Sequence, residues 1–465
     1  MPATRVTAPR ARSTPPSVPI STLASFVMPD LSIDFAGIKS PNPFWLASAP
    51  PTNSGDQVMR AFDAGWGGAV WKTLGEPIVN VSSRLGSVDL ADRRMMGLNN
   101  IELITDRPLE VNLREIREVK KRYPNNALIV SLMVETREQW RDIVKRSEDA
   151  GADGLELNFG CPHGMCERGM GSAVGQEPKV LEELVSWVLE VATVPVIAKL
   201  TPNITDVRVP ARAAARAGVK AVSLINTIQS VIGVDLDRLV PMPRVSDASS
   251  HGGYCGPAVK PIALRMVGDI ARDPAHDLVI SGIGGIADWR DAAEFIALGA
   301  STVQVCTAVM HYGYRIVEDM IEGLSEYLAS KKLAGVRHLV GAALPGYREW
   351  GDLDLNYHVI ARIDEKKCIG CNLCAVACHD GAHQCIHPPG TAAIPGHAAP
   401  MAATAAARLE ASPPEAPYRV PWVDETECVG CNLCSLVCPV HGCITMVEER
   451  RAPQRETWNE RSSRA

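Results

Sequence analysis

The sequence predicts an α/β fold: a TIM (β/α)8 barrel followed by a small α+β domain organised by cysteines. Three observations predict it. Eight short apolar runs alternate with helix-like segments between Phe44 and Ala308. A Gly-centred helix stop recurs before several of those runs. The alternation then ends near Lys331, and eight cysteines follow in two tight groups.

The candidate strands are Phe44–Ala49, Ala69–Leu74, Ala127–Val134, Gly154–Phe159, Val196–Leu200, Ala221–Asn226, Leu278–Ser281 and Thr302–Thr307. Their continuous apolar character suits parallel strands buried on both faces. Segments of helical spacing separate them, among them Thr136–Ala150, Pro178–Val191, Asp206–Ala217, Pro257–Ala271 and Asp288–Leu298. Gly65, Gly151, Gly218 and Gly299 each stand where a helix should stop and a strand begin. A glycine at that position takes the left-handed conformation that ends a helix. Eight such units make a barrel of the usual size. A doubly wound open sheet is the alternative, and it does not ordinarily need eight units so regularly punctuated.

Composition narrows the function. The chain has 465 residues, 46% apolar and 22% charged, with a formal charge of -6. That balance argues against a nucleic-acid partner, which calls for a basic footprint. The longest apolar run, Ala127–Val134, is strand-sized, so no membrane span is expected. Residues 1–27 form a Pro-, Ser- and Arg-rich tail without the apolar core of a secretion signal. The expected layout is a disordered tail (1–27), the barrel (28–335), a linker (336–361), the cysteine domain (362–450) and a charged tail (451–465). An Ala- and Pro-rich insert at about 387–417 interrupts the cysteine domain and reads as a disordered loop.

Cys368, Cys371, Cys374 and Cys378 form one C-x2-C-x2-C-x3-C run; Cys428, Cys431, Cys434 and Cys438 form the other. This spacing holds [4Fe-4S] clusters, and in two-cluster ferredoxins the fourth cysteine of each run serves the other cluster. One set is therefore Cys368, Cys371, Cys374 and Cys438. The second is Cys378, Cys428, Cys431 and Cys434. Paired zinc sites need only the CxxC pairs and leave the remaining cysteines unexplained. Pro439 follows the second run, whereas His379 takes that place in the first. Cys385 and Cys443 read as small buried hydrophobes. Thiolates kept for metal imply a reducing compartment, and a cytoplasmic location is expected.

In a barrel the chemistry lies where strands end and βα loops begin. Those positions hold Ser48, Lys72-Thr73, Asn158 through Cys161, Lys199, Asn226-Thr227, Gly284-Gly285 and Cys306-Thr307. Three long loops leave the same end: Gly75 to about Glu110, Gly160–Glu177, and Ile228–Gly256. Gly282 through Ala287 matches G-x-G-x-x-A, but no acid ends the next strand to hold a dinucleotide ribose. Gly-rich turns after the last barrel strands instead hold one phosphate on backbone N–H groups, and FMN carries one. Gly256 can add another N–H. Lys199 suits the flavin edge where negative charge builds on reduction. Ser48, Lys72, Thr73 and Asn158 suit its pyrimidine end.

At this point a resemblance becomes specific. The barrel resembles the dihydroorotate dehydrogenase-type FMN barrel. More closely, the chain resembles the family of catalytic FMN/iron–sulfur subunits of bacterial NAD-dependent dihydropyrimidine dehydrogenases. Asn99 through Ile104, Asn158 through Met165, Lys199 through Asn203, Asn226-Thr227 and Gly252 through Gly256 carry it. The resemblance covers about Pro29 to Val447 and implies FMN and two [4Fe-4S] clusters. It implies reduction of uracil or thymine: hydride reaches C6, and Cys161 protonates C5 as general acid. Asn100, Asn158, Asn226 and Thr227 would hold the pyrimidine, with Glu102 fixing Asn100 and with Gly164 and Met165 at the substrate. The Gly164–Gly171 stretch can close over substrate. His163 either tunes the thiol or caps the loop; Cys166 has no assigned role. Without a dinucleotide site of its own, the chain would need a partner subunit binding NAD(H) and FAD. A homodimer within a hetero-oligomer is expected. The alternatives are a related oxidoreductase such as a dihydroorotate dehydrogenase, where Cys161 would be a base, and a non-catalytic electron-transfer subunit.

Overall fold

The computed structural model describes residues 28–76, 78–90, 93–389, 420–449 and 455–463. The N-terminal tail and the 387–417 insert lie outside them, apart from the insert's first residues. The chain divides into two compact units, Met1–Tyr347 and Arg348–Ala465.

The first unit is a closed barrel of eight parallel strands in sequence order. They are β1 (Phe44–Leu46), β2 (Gly68–Leu74), β3 (Ala127–Leu132), β4 (Gly154–Asn158), β5 (Val196–Lys199), β6 (Ala221–Leu224), β7 (Val279–Ile283) and β8 (Ala300–Val305). Helices α1 (Gly55–Ala64), α2 (Leu109–Arg122), α3 (Arg137–Asp149), α4 (Pro178–Leu189), α5 (Arg208–Ala217), α6 (Lys260–Ala271), α7 (Trp289–Ala297) and α8 (Ile316–Ser330) follow them in turn. All eight expected strands are present, with ends shifted by up to three residues. The four helix-stop glycines have φ between 97° and 112°, values that a Cβ disfavours.

Helix α3 shows how sequence sets each unit. Thr136 Oγ1 accepts from Gln139 N at 3.3 Å, and Gln139 Oε1 accepts from Thr136 N at 2.9 Å. This reciprocal cap satisfies two otherwise orphaned donors, and its loss costs about 1 kcal/mol. Trp140, Ile143, Val144 and Ser147 follow at i, i+3, i+4 and i+7 and bury one face. Within the barrel wall, fully buried Trp71 keeps its indole N–H bonded to Asn112 Oδ1 at 3.0 Å.

Two features closing the barrel ends were not legible as strands. At the bottom, a hairpin of Ile33–Phe35 and Ile38–Ser40 turns at Ala36-Gly37, both at positive φ. Phe35 and Ile38 pack on Trp45, Val70, Ile129 and Ile197, sealing that end. At the mouth, the first and third long loops join as a four-stranded antiparallel sheet. Arg93–Asn100 runs between Leu85–Leu90 and Gly252–Cys255, and Ile228–Ser230 takes the far edge. Gly97 permits the crossing: a Cβ there would meet Tyr254 Oη at 2.0 Å. The stretch read as a linker begins with Val336 and Leu339, both buried in the barrel core.

The second unit pairs Val359–Ile363 with Ile444–Glu448 and Ile386–His387 with Trp422–Val423, all antiparallel. Two of its helices, Leu373–Gly381 and Leu433–Val437, each follow the first two cysteines of a run. Seven of its cysteines, together with Ile360, Ile386 and Ile444, belong to its buried core. No helix among the described residues is long and apolar enough to cross a membrane.

Candidate active site

The strand ends of β1, β2 and β4 through β8 open into one cavity. The singled-out barrel residues line it, except Gly164 and Met165. Met165 instead packs with Ile104, Met133 and Met170 in a small apolar cluster behind Cys161. A Cβ on Gly164 would meet Leu103 Cδ2 at 2.5 Å. Both residues therefore shape the Cys161 loop from behind.

A chain of short polar side chains crosses the cavity floor. Asn158 Nδ2 donates to Thr73 Oγ1 at 3.1 Å, and Asn158 Oδ1 accepts from Asn226 Nδ2 at 3.0 Å. Thr73 in turn reaches Ser48 Oγ at 3.1 Å and Ser131 Oγ at 2.9 Å. Asn226 Oδ1 accepts from Thr227 N at 2.8 Å. The amide orientations thus follow from one network that draws on five strands. Gly160 lets the next loop pass: a Cβ there would lie 2.5 Å from Asn226 Cβ.

Cys161 begins that loop. Its thiol is buried and donates to His163 O at 3.5 Å. Burial pushes the thiol up to about 11, since the thiolate would lose its hydration. Burial also lowers His163, so its ring is neutral. His163 Nε2 lies 3.0 Å from Glu102 O, and Nδ1 is buried without a hydrogen-bond partner. Gln229 Nε2 donates to Pro162 O at 2.9 Å, and His251 Nε2 lies 3.1 Å from the same oxygen. The third long loop thereby holds the Cys161 loop, a tie that no local pattern announced.

The charges depart from expectation in one respect. Glu102 pairs with Lys72, and its second oxygen lies 3.7 Å from Arg84 Nε. It does not fix Asn100, whose Nδ2 donates to Gly253 O at 3.2 Å. Asn100 ends a strand registered against Gly253, so its amide is satisfied across the sheet. The chain then turns, and Glu102 points back to β2. Lys199 lies 3.4 Å from Glu156 Oε1, with both side chains buried.

The mouth fits FMN by two observations. Gly256, Gly284 and Gly285 all take positive φ, and a Cβ on Gly285 would lie 2.9 Å from Gly256 O. Two backbone turns thus meet too closely for side chains, leaving N–H groups for a phosphate. Lys72 and Lys199 supply buried cations across the same cavity. Cys306 and Thr307 close the wall; Thr307 Oγ1 donates to Cys255 Sγ at 3.4 Å.

In the second unit the thiols gather around two small cavities. Cys378, Cys428, Cys431 and Cys434 line one; Cys368, Cys371, Cys374 and Cys438 line the other. Each cavity is thus lined by three thiols of one run and the fourth cysteine of the other. Among the described residues, no three His, Cys, Asp or Glu side chains close around a single ion. Each set instead gathers four thiols, the number that a [4Fe-4S] cluster takes. Gly370 and Gly430 have φ of 73° and 71°, and Asn372 and Asn432 of 58° and 68°, so the two runs wind alike. Cys385 lines the first cavity and Cys443 the second, so each has a fifth thiol, itself buried.

A flavin-holding parallel barrel joined to a two-cluster cysteine unit defines an FMN/iron–sulfur oxidoreductase. The chain belongs to the dihydroorotate dehydrogenase family, whose model matches residues 30–328. A 4Fe-4S binding domain matches residues 421–442. The chain is 46% identical over 357 residues to the NAD-dependent dihydropyrimidine dehydrogenase subunit PreA of Escherichia coli (strain K12), covering 76% of this chain and 87% of the relative. It is 44% identical over 338 residues to the chloroplastic dihydropyrimidine dehydrogenase (NADP(+)) of Arabidopsis thaliana, covering 70% and 79%. It is 37% identical over 314 residues to the catalytic subunit of dihydroorotate dehydrogenase B (NAD(+)) of Pyrococcus abyssi, covering 68% and 99%.

Proposed function

We propose that this chain reduces uracil and thymine to their 5,6-dihydro forms, with Cys161 as the proton donor to C5. The observation that carries this reading is a buried, protonated thiol sharing one cavity with the carboxamides of Asn100, Asn158 and Asn226 and with Lys199. Bound FMN supplies hydride to C6, and the two [4Fe-4S] clusters supply electrons. Every other role falls to the chain's own groups. A pyrimidine ring offers two carbonyls and two N–H groups. Asn100, Asn158 and Asn226 each offer both donor and acceptor, and Thr227 adds a hydroxyl. Ser48, Lys72, Thr73 and Asn158 hold the flavin's pyrimidine end, and Lys199 faces its N1–C2=O edge. Gly256, Gly284 and Gly285 give N–H groups to the phosphate, and Cys306 and Thr307 border the ring. Glu102 acts by holding Lys72.

Cys161 suits an acid, not a base. A thiol held near 11 stays protonated across the physiological range and gives its proton only as charge develops on the substrate. Neutral His163 adds no cation that would draw that proton off. The four-cysteine sets take the ligation stated above, Cys438 and Cys378 crossing between runs. The domain plan, from barrel through linker to cluster unit, delivers electrons from an NAD(H)-oxidising, FAD-bearing partner subunit. The relative in Escherichia coli is itself named a subunit. A homodimer within a hetero-oligomer, in the reducing cytoplasm, completes the reading.

The experiment is Cys161→Ala in the holoenzyme. Uracil reduction should fall about 10²–10⁴-fold, the range for a lost general acid. Flavin and cluster absorbance should persist. Turnover equal to wild type would overturn the role.

A further inference from the structure

Glu156 is a buried charge behind the barrel mouth to which the proposed reaction assigns no role. It lies on β4, two residues before Asn158, and its side chain is fully buried. Such a carboxylate is costly unless it is paired and hydrogen-bonded. Its Oε2 accepts from Ser223 Oγ at 2.8 Å and from Gln304 Nε2 at 3.1 Å. Its Oε1 accepts no hydrogen bond and faces Lys199 Nζ at 3.4 Å. Among the described residues, Lys199 has Glu156 as its one ion-pair partner. Lys199 lines the cavity and Glu156 does not, so the carboxylate backs the lysine from the barrel core.

We propose that Glu156 is a positioning residue that sets the flavin's reduction potential through Lys199. This rests on FMN occupying the barrel mouth. Reduction gives the ring two electrons and one proton, leaving one negative charge that builds near N1–C2=O. A cation there favours the reduced form. Glu156 draws the ammonium toward the core and offsets part of its charge. The flavin is thereby a stronger reductant than an unopposed lysine would leave it. Ser223 and Gln304 keep the carboxylate on the lysine's side. Gln304 is itself held by donating to Ser281 Oγ at 3.1 Å.

The test is Glu156→Gln in the full chain carrying FMN, titrated spectroelectrochemically without any pyrimidine. The flavin equilibrium should move at least tenfold toward the reduced form, which for a two-electron couple is about 30 mV more positive. In a Lys199→Met background the same exchange should move it little, because a buried carboxylate with no cation is neutralised. Glu156→Asp, which keeps the charge but retracts it, should shift the potential in the same direction by less. That variant serves if Glu156→Gln does not fold. An unchanged or more negative potential in either variant overturns the proposal, as does an equal shift with and without Lys199. A wild-type chain that binds no FMN would instead overturn the reading of the barrel mouth.

Discussion

The barrel mouth and the cysteine unit both hold redox groups, but they draw on sequence in opposite ways. The mouth gathers side chains from residue 48 to residue 307, supplied by seven of the eight strand ends. The cysteine unit takes its thiols from two runs of eleven residues each, Cys368–Cys378 and Cys428–Cys438. A cluster needs four soft ligands at set distances, so its chemistry is written in local spacing. A flavin needs shape, hydrogen bonds and charge, so its chemistry is written in a fold. Residues in the first region are recognisable alone; those in the second gain meaning only once the barrel closes.

The two cysteine runs sharpen the point. The second helix stops at Val437, and Cys438 is extended with φ -70° and ψ 120° before Pro439. A residue before proline is pushed out of the helical region. The first run has His379 instead, and its helix continues to Gly381. Cys378 is thus presented from within a helix and Cys438 from an extended cap, yet each lines the other run's cavity.

The largest expected contrast comes from Cys438→Ala. It should remove one cluster, halving bound iron while FMN stays at one per chain. Metal analysis with flavin quantitation checks this; retention of both clusters would break the crossed assignment. Next comes Gly285→Val. At φ 76° and with its Cβ 2.7 Å from Lys260 Cβ, the new side chain must strain or displace the turn. About 1–3 kcal/mol of strain corresponds to roughly a 5- to 150-fold loss of FMN affinity. Iron content should not change, which separates the two regions. The smallest expected effect is on pH. Because the Cys161 thiol is raised to about 11, the donor stays protonated as pH rises through the ordinary cysteine value. Turnover limited by proton donation should therefore be flat from about pH 7 to about pH 9.5. A decline centred near pH 8.5 would show an unperturbed thiol.

Much of the barrel was legible, because strands buried on both faces are continuously apolar and the glycine stops recur. The N-terminal hairpin was not, since each of its strands has three residues and carries too little alternation to register. The sheet over the mouth was hidden for another reason. Its pairs join Asn99 to Tyr254 and Asn100 to Gly253, over 150 residues apart, in stretches rich in Gly and Asn. Strand ends identified Lys72, Lys199 and Asn226 because polar residues there break an apolar run. Glu156 escaped notice because it lies inside such a run, where one acid reads as an exception. The roles of Glu102, Gly164 and Met165 depended on directions that spacing does not encode.

The central claim is that the barrel mouth reduces a pyrimidine base. It is tested most directly by anaerobic titration of the chemically reduced protein with uracil, thymine and orotate, watching the flavin absorbance return. Uracil and thymine should reoxidise the flavin and yield the dihydro bases, while orotate leaves it reduced. Reoxidation by orotate, with none by uracil or thymine, would contradict the account.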